Sequence, residues 1–296
     1  MEDNKTGRPV TRRQVIASLA TFTAGALFKP ASVLSSPSNK TRFAVIGDFG
    51  TGGSDEFAVA SLMYETHKSL ALDFVLTAGD NIYPNGAGRY FQKNFEEPFA
   101  QLLNERVKFY ATLGNHDVRA GRQDQIRYPL FNMNGSSYYS ISRGNGLVDF
   151  FMLDSTEFDD TQTTWLENAL RSSKALWKVA AFHHPLYSSS FKHGSDLKLR
   201  ARVEPIFIDH GVQVVFSGHD HNYERTKPQN GIQYFVTGAG GKNRRGMVDK
   251  KSSIRAASFD EDNSFMLIEL DEKEMIFKAL SEKGETVDSG IIRQAP

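Results

Sequence analysis

Five short clusters along the chain combine the residue types that bind metal ions in proteins. They are Gly47-Asp48-Phe49-Gly50, Gly79-Asp80-Asn81-Ile82-Tyr83, Gly114-Asn115-His116-Asp117, His183-His184-Pro185 and Gly218-His219-Asp220-His221. Carboxylate, amide and phenol oxygens and imidazole nitrogens suit divalent and trivalent cations. The chain contains no cysteine, which excludes thiolate metal sites, cysteine nucleophiles and disulfides. The residue types therefore predict a metal centre held by nitrogen and oxygen.

Each cluster follows a segment that has the composition of a buried β-strand. These segments are rich in apolar, β-branched and aromatic residues, and they are Arg42–Ile46, Phe74–Ala78, Val107–Leu113, Trp177–Phe182 and Val212–Phe216. In α/β sheets, ligand crevices form at the carboxyl ends of strands because the loops converge there. A single Gly-Asp or Gly-Asn-His cluster is more often an ordinary turn, and a single His-His-Pro is more often strand-end packing. The coincidence of all five at strand ends favours one shared crevice.

Asp80 is the residue best suited to join two metal ions. The two oxygens of one carboxylate can bridge cations at roughly 3.5–4 Å, the separation used by two-metal phosphoester enzymes. Asp48 would then bind one ion only. In a His-x-His at the end of a strand, side chains two residues apart point the same way, so His219 and His221 can each reach an ion. Asp220, between them, is expected to face elsewhere.

The segments between the clusters predict an α/β fold. Helical periodicity is present in Glu56–Leu72, Arg89–Leu103, Thr161–Ser172 and Asp196–Asp209, and a further strand is expected over Leu147–Leu153. After Gln229-Asn230-Gly231 the pattern changes to antiparallel strands and hairpins over Ile232–Thr237, Ser264–Leu270 and Met275–Ser281. The pattern is compatible with one mixed sheet or with two packed sheets that have helices outside.

Composition limits the classes of partner. The chain has 296 residues, with 35 Lys and Arg balanced by 35 Asp and Glu. Neither sign forms long blocks, so nothing in the charge pattern indicates nucleic-acid binding. We expect a small-molecule partner and one catalytic domain over residues 41–296.

The first 36 residues are expected to be a targeting segment. Arg12 and Arg13 directly precede an apolar run from Val15 to Phe28, which is too short to span a bilayer comfortably. This arrangement resembles a bacterial twin-arginine signal peptide, cleaved between Ala31 and Ser36. It implies a protein exported by the twin-arginine machinery to the periplasm or medium, without stable membrane insertion. The alternative is a tail that contains a short amphipathic helix.

The five clusters, in this order, resemble the signature blocks of the purple acid phosphatases, in the calcineurin-like metallophosphoesterase superfamily. The resemblance runs from about Arg42 to near Ile292 and includes Trp165-Leu166 and Gly238-Ala239-Gly240. The length is similar to that of the small, tartrate-resistant type. The resemblance implies an α/β fold with two packed mixed β-sheets flanked by helices, the αββα sandwich.

The resemblance also implies the metal ligands position by position. One ion would be bound by Asp48, Asp80, Tyr83 and His221, and the other by Asp80, Asn115, His183 and His219. Tyr83 is the residue that best distinguishes this family from other metallophosphoesterases, because related Ser/Thr protein phosphatases and many nucleases lack a tyrosine here. A phenolate favours Fe(III), so the implied cofactors are Fe(III) and a divalent ion, Fe, Zn or Mn. The alternative for Tyr83 is an aromatic ring packed under a turn before Pro84.

The implied reaction is hydrolysis of phosphate monoesters, as in acid phosphatases. Water acidified by the ions would attack phosphorus, while His116 and His193 bind substrate and supply a proton to the leaving group. His193 could equally be a surface histidine. Asn81 is a further candidate for substrate binding. The alternatives are a phosphodiesterase or nucleotide hydrolase on the same scaffold, and a phosphate- or metal-binding protein without turnover.

Two features leave the site ambiguous. Adjacent strand residues point to opposite faces, so only one of His183 and His184 is expected to face the metals. The family pattern places the ligand two residues before the proline, which favours His183. The run Lys242-Asn243-Arg244-Arg245 is either a clamp for substrate phosphate or a solvated loop, and we expect the solvated loop.

Overall fold

The computed structural model of the protein describes residues 39–294 and contains two β-sheets. The expected leader, residues 1–36, lies outside the described residues. The strands are β1 (Thr41–Ile46), β2 (Phe74–Thr77), β3 (Lys108–Tyr110), β4 (Tyr139–Arg143), β5 (Val148–Met152), β6 (Trp177–Ala181), β7 (Val214–Ser217), β8 (Tyr223–Thr226), β9 (Gln233–Thr237), β10 (Arg255–Phe259), β11 (Ser264–Leu270), β12 (Glu274–Ser281) and β13 (Thr286–Arg293).

Five α-helices connect or flank these strands in the described region. They are α1 (Ser54–Leu70), α2 (Ala100–Asn104), α3 (Arg122–Arg127), α4 (Asp160–Ser172) and α5 (Leu197–His210). Shorter turns of 3₁₀-helix cover Gly88–Tyr90 and Pro129–Phe131, and a π-helical turn covers Gln92–Glu96. Within residues 39–294, no helix has the length and apolar character needed to cross a membrane.

Both sheets are mixed. The first has the order β13-β12-β11-β1-β2-β3, in which β1, β2 and β3 are parallel and β11 to β13 run antiparallel. The second has the order β10-β8-β9-β7-β6-β5-β4, in which β5, β6, β7 and β9 are parallel. The parallel strands are buried along nearly their whole length, which explains why their sequences are almost continuously apolar.

The sheets pack face to face through an aromatic core. Phe43 of β1 lies 5.1 Å from Phe150 of β5 and 6.3 Å from Phe216 of β7, measured between ring centroids. Helices α4 and α5 cover the other face of the second sheet in a smaller cluster that includes Leu166 and Phe207. This arrangement confirms the two packed mixed sheets with flanking helices.

The predicted helix over Arg89–Leu103 is wrong in its continuity. The segment breaks into a 3₁₀ turn, a π-helical turn and the five-residue helix α2. Pro98 lies at the break, and a proline removes a backbone donor and clashes with the preceding turn of a helix. The aromatic residues in this segment, Phe91, Phe95 and Phe99, are all buried, so packing also holds it in place.

Candidate metal centre

The five clusters meet in one crevice at the carboxyl ends of strands from both sheets. Asp48, Asp80 and Asn115 follow β1, β2 and β3 of the first sheet. His183 and His219 follow β6 and β7 of the second sheet. Because the two sheets pack face to face, the loops from both converge on one point. The side chains of all seven predicted metal ligands are present there.

Asp80 lies in the middle of the crevice with its two carboxylate oxygens facing different groups. Oδ2 accepts a hydrogen bond from the Tyr83 hydroxyl at 3.0 Å. Oδ1 lies 3.6 Å from His183 Nε2 and accepts the His116 backbone N–H at 2.8 Å. Asp80 is therefore in a position to share its oxygens between two neighbouring cations.

One group of donors surrounds Asp48. Its Oδ1 accepts a hydrogen bond from the Tyr83 hydroxyl at 3.2 Å and lies 3.4 Å from His221 Nε2. The Tyr83 hydroxyl and His221 Nε2 are also 3.4 Å apart. Asp48 Oδ2 accepts the backbone N–H of His219 at 2.8 Å, which fixes the carboxylate. Asp48, Tyr83 and His221 thus present three donor atoms toward one side of Asp80.

A second group of donors surrounds His183. Its Nε2 lies 3.1 Å from Asn115 Oδ1 and 3.2 Å from His219 Nδ1. Its other nitrogen, Nδ1, donates a hydrogen bond to the Ala78 carbonyl oxygen at 2.8 Å. Since a carbonyl oxygen only accepts, the proton is on Nδ1 and the Nε2 lone pair is free for a ligand. His183, Asn115 and His219 lie on the other side of Asp80.

Glycines give the backbone room at this point. A Cβ on Gly79, whose φ is +80°, would lie 2.7 Å from His183 Nδ1. A Cβ on Gly218 would lie 2.5 Å from Asp48 Oδ2. Any larger residue at either position would displace one of the donor side chains.

The electrostatics of the crevice fit bound cations. Burial and the neighbouring Asp80 raise the pKa of Asp48 well above its ordinary value. Burial and the charges of Asp48 and Asp80 likewise raise the pKa of the Tyr83 phenol. Packing these acidic oxygens together away from water is unfavourable unless positive charge lies among them, and a bound metal ion supplies it. The donor set therefore fits the two ions that the sequence implied.

The histidines of the crevice are held neutral, which is the form that binds metal. Burial lowers the pKa of His183 well below its ordinary value, and the nearby His184 lowers it further. Burial, Arg244 and Lys242 lower the pKa of His221 to about 4. Burial and the surrounding imidazoles also lower the pKa of His219.

The side chains of His183 and His184 do not point to opposite faces, contrary to the expectation for adjacent strand residues. Both follow the last residue of β6, so strand alternation no longer governs them. The His184 ring lies 5.0 Å from the His183 ring and 4.6 Å from the His219 ring. His184 therefore also faces the crevice, with Nδ1 2.9 Å from the Ser155 hydroxyl.

Strand alternation does not explain how His219 and His221 are placed, although both side chains reach the crevice as expected. The segment after β7 is not extended, and His219 has a φ of +71°. A bend, rather than strand periodicity, brings the two rings to opposite donor groups.

Asn81, a candidate for substrate binding from the sequence, has its side chain hydrogen-bonded within the protein. Its side chain is fully buried, and its amide nitrogen donates to the carbonyl of Thr112 at 2.7 Å and to Asp117 Oδ2 at 3.1 Å. Its amide oxygen accepts the Thr77 hydroxyl at 2.5 Å. Asn81 instead braces the loops that carry Asp80 and Asn115.

The two candidate catalytic histidines lie at opposite edges of the crevice. His116 Nδ1 donates to the Pro84 carbonyl oxygen at 2.7 Å, and its ring lies 4.5 Å from the Tyr83 ring. The His193 ring lies 4.0 Å from the His219 ring. Both are at least partly accessible, as a substrate contact requires.

Several supporting residues were not identified from the sequence. Asp117 is buried and accepts backbone N–H groups from Asn81, Ile82 and Gly114. Asp220 is buried and accepts the Ser188 hydroxyl at 2.6 Å. Both aspartates lie inside the five clusters, and this position was the available signal in the sequence. Most of their hydrogen-bond partners, however, are distant in the chain.

The run from Lys242 to Arg245 is only in part a solvated loop. Lys242 and Arg244 are half-buried at the crevice, with Lys242 Nζ 4.2 Å from the centroid of the Tyr83 ring. Arg245 is exposed and pairs with Glu261. The expectation of a solvated loop is therefore correct for Arg245 alone.

The family comparison agrees with the fold and the crevice. The family model for calcineurin-like phosphoesterases matches residues 41–223, and the chain belongs to this family. It is a metal-dependent phosphoester hydrolase, in a family that uses two metal ions.

Within the family, the chain is similar to purple acid phosphatases. It is 31% identical to purple acid phosphatase 17 of Arabidopsis thaliana over 238 residues, covering 70% of each chain. It is 26% identical to tartrate-resistant acid phosphatase type 5 of Rattus norvegicus, covering 85% of this chain and 90% of the relative. Plasmodium GAP50, described as the anchor in the inner membrane complex, shares the fold with a TM-score of 0.74 and 20% identity, covering 87% of this chain and 90% of its own.

Proposed function

We propose that the protein is an acid phosphatase that hydrolyses phosphate monoesters at a centre of two metal ions. The observation that carries the proposal is the position of Asp80. One of its oxygens faces the Asp48, Tyr83 and His221 group, and the other faces His183, which lies beside Asn115 and His219. A single carboxylate between two sets of donors is the arrangement that a pair of bridged cations requires.

The proposed ions are Fe(III) on the Tyr83 side and a divalent ion, Fe, Zn or Mn, on the His183 side. A phenol beside two carboxylates is a hard, anionic donor set, whereas two imidazoles with an amide oxygen suit a softer divalent ion. When bound, the ions would supply Lewis acidity that generates a nucleophile from water and offsets charge on the phosphate.

The chain's own residues would orient the ester and move the proton to its leaving group. The Pro84 carbonyl fixes one His116 proton on Nδ1, so the proton given to the leaving group would be the second proton of the imidazolium form, carried on Nε2. His193, beside His219 at the opposite edge, is positioned to contact the same phosphate. General acid catalysis of this kind contributes typically 10²–10⁴-fold.

Turnover of p-nitrophenyl phosphate and of its bis ester tests this function. The proposal predicts that the monoester is hydrolysed much faster than the diester, with activity lost on chelation and restored by iron plus a divalent ion. Preference for the bis ester would assign a phosphodiesterase. No turnover of either ester by fully metal-loaded protein would assign a binding protein.

The iron assignment is tested by colour. A Tyr83 phenolate on Fe(III) gives a charge-transfer band in the visible range, and Tyr83→Phe removes the oxygen while keeping the ring. We expect the band to vanish in the variant while the circular dichroism spectrum is retained. A colourless wild-type enzyme, fully active with manganese or zinc alone, would overturn the assignment of iron.

We also propose that the protein is exported through the twin-arginine pathway. The support is the Arg12-Arg13 pair before the apolar run from Val15 to Phe28. Replacing both arginines by lysine is expected to retain the protein in the cytoplasm with its leader attached. Unchanged activity in the periplasmic fraction would refute this route.

A further inference from the structure

Three cationic side chains lie around the crevice without an acidic partner. They are Lys192, Lys242 and Arg244, and none has a carboxylate within 4.0 Å among residues 39–294. Unpaired cations grouped at the mouth of a crevice attract anions.

Lys242 lies above the donor group that contains Tyr83. Its Nζ is 4.2 Å from the centroid of the Tyr83 ring, which in turn lies 4.5 Å from the His116 ring. The ammonium group is thus on the crevice side of the loop that follows β9.

Arg244 is tied to the same wall. Its backbone N–H donates to the His221 carbonyl oxygen at 2.8 Å. One guanidinium nitrogen, Nη1, is buried and has no hydrogen-bond partner among the described residues. An unpaired buried donor is unfavourable, and an anionic ligand would satisfy it.

Lys192 approaches from the other side. It lines an open cavity of about 340 Å³ together with His184, His193, Asp196 and His219. The backbone N–H of Phe191 donates to the Met247 carbonyl at 2.7 Å, and that of Asp249 donates to the Ser189 carbonyl at 2.9 Å. These bonds join the loops that carry Lys192 and Arg244 into one continuous wall beside the centre.

We propose that Lys242 and Arg244 form a second anion subsite, which binds a phosphate group on the leaving-group side of the substrate. This inference rests on the proposed phosphomonoesterase function. The reacting phosphate would be bound at the metal centre. Lys242 and Arg244, at the edge of the crevice, are then available to bind a second anion. The substrate class is therefore phosphomonoesters whose leaving group carries another phosphate.

Fructose 6-phosphate and fructose 1,6-bisphosphate are a matched pair for the test, because they differ by one phosphate. The wild-type enzyme is expected to have the higher kcat/KM for the bisphosphate. Lys242→Met and Arg244→Met should each lower that preference by roughly tenfold. This factor corresponds to the lower end of what a hydrogen bond to a charged group contributes to binding. The loss should be mainly in KM. Raising ionic strength should reduce the preference of the wild type, because salt screens partly exposed charges.

Arg245→Met is the matched control, since Arg245 is the adjacent exposed residue and is paired with Glu261. It should keep the wild-type ratio. Equal losses for both substrates, or an effect of Arg245→Met as large as that of Arg244→Met, would overturn the subsite. Loss of metal from the Lys242 or Arg244 variants, measured by elemental analysis, would also overturn it. If the wild-type enzyme hydrolyses both substrates with equal kcat/KM, the subsite alone fails. If it hydrolyses neither, the proposed function fails.

Discussion

Three residues of the metal centre adopt a left-handed backbone conformation. Asp48, Asp80 and His219 have φ values of +56°, +50° and +71°. This conformation costs an L-residue roughly 1 kcal/mol or more, and such residues are concentrated at functional sites. The fold accepts the cost at three positions in one crevice, where the backbone must turn sharply to aim a donor side chain. The conformation is therefore part of how the centre is built.

At the same scale, the two adjacent histidines are predicted to have different roles. His183 Nε2 lies beside Asp80 and Asn115, whereas His184 Nδ1 is near the Ser155 hydroxyl. We expect His183→Ala to lose one metal ion and His184→Ala to retain both while changing KM. Elemental analysis and steady-state kinetics of the purified variants measure this. Loss of metal from His184→Ala with retention in His183→Ala would reverse the assignment.

The residues that meet in the crevice could be predicted from the sequence, because their types, their places after predicted strands and the resemblance to a known family mark them. Their geometry could not. The crevice-facing side chain of His184 and the bend at His219 both depend on backbone that has left its strand, where no periodicity applies. Asn81 was a candidate for substrate binding, whereas its buried hydrogen-bond partners Thr112 and Asp117 are distant in sequence and could not be predicted.

At the scale of elements, the loop that carries His193 is held by a buried carboxylate. Asp220 Oδ2 accepts the Ser188 hydroxyl at 2.6 Å and the Gly194 backbone N–H at 3.1 Å. Glu224 accepts the backbone N–H of Ser189 at 2.9 Å. Asp220, which lies between His219 and His221 in the sequence, therefore positions this loop rather than the ions.

Asp220→Ala is accordingly expected to keep its metal and to lose activity through His193. We predict a fall in kcat of roughly tenfold, with little further loss when Asp220→Ala is added to His193→Ala, because coupled residues are not additive. Asp220→Asn keeps an oxygen acceptor and should recover part of the activity. Additive losses in the double variant, by steady-state kinetics, would mean that Asp220 acts independently of His193.

Helix α1 contains a buried acid whose effect on stability depends on pH. Burial raises the pKa of Glu56 well above its ordinary value, while its Oε2 accepts the backbone N–H groups of Thr51 and Gly52. Since the folded pKa is the higher one, this group stabilises the fold when protonated. That contribution is present below the unfolded value of 4.5 and is lost as pH rises.

Glu56→Gln is therefore expected to stabilise the protein at pH 7. The variant keeps an oxygen acceptor and removes the buried charge, so we expect a gain of roughly 1 kcal/mol, or about 2–4 °C in Tm. The gain should shrink as pH falls. Glu65→Gln, a change at a half-exposed residue of the same helix that pairs with Lys68, is the control in the thermal melts. A gain that does not vary with pH would contradict this assignment.

Element boundaries were predicted well where periodicity is strong and poorly where packing decides. The strand Ser264–Leu270 and the helix near Thr161–Ser172 match closely, because their patterns are long and regular. The strands Tyr139–Arg143 and Tyr223–Thr226 were not predicted. Each is held by pairing with the next strand in the chain, Val148–Met152 and Gln233–Thr237 respectively.

At the scale of the whole molecule, the packing of two sheets is what creates the site. Periodicity shows that the parallel strands are buried on both faces, but it does not show what covers them. The sequence pattern therefore did not decide between one sheet and two, and only the family resemblance favoured two. In the structure, donors from β1, β2 and β3 of one sheet meet donors from β6 and β7 of the other.

The most direct test of the central claim is the number of metal ions bound by each chain, measured by elemental analysis of wild type and Asp80→Ala after dialysis. Asp80 contacts both donor groups, so we predict two ions per wild-type chain and loss of both in Asp80→Ala. Asp220→Ala, which removes a buried carboxylate next to two ligands, should keep both ions. One ion in the wild-type chain, or equal metal content in the two variants, would contradict a bridging role for Asp80.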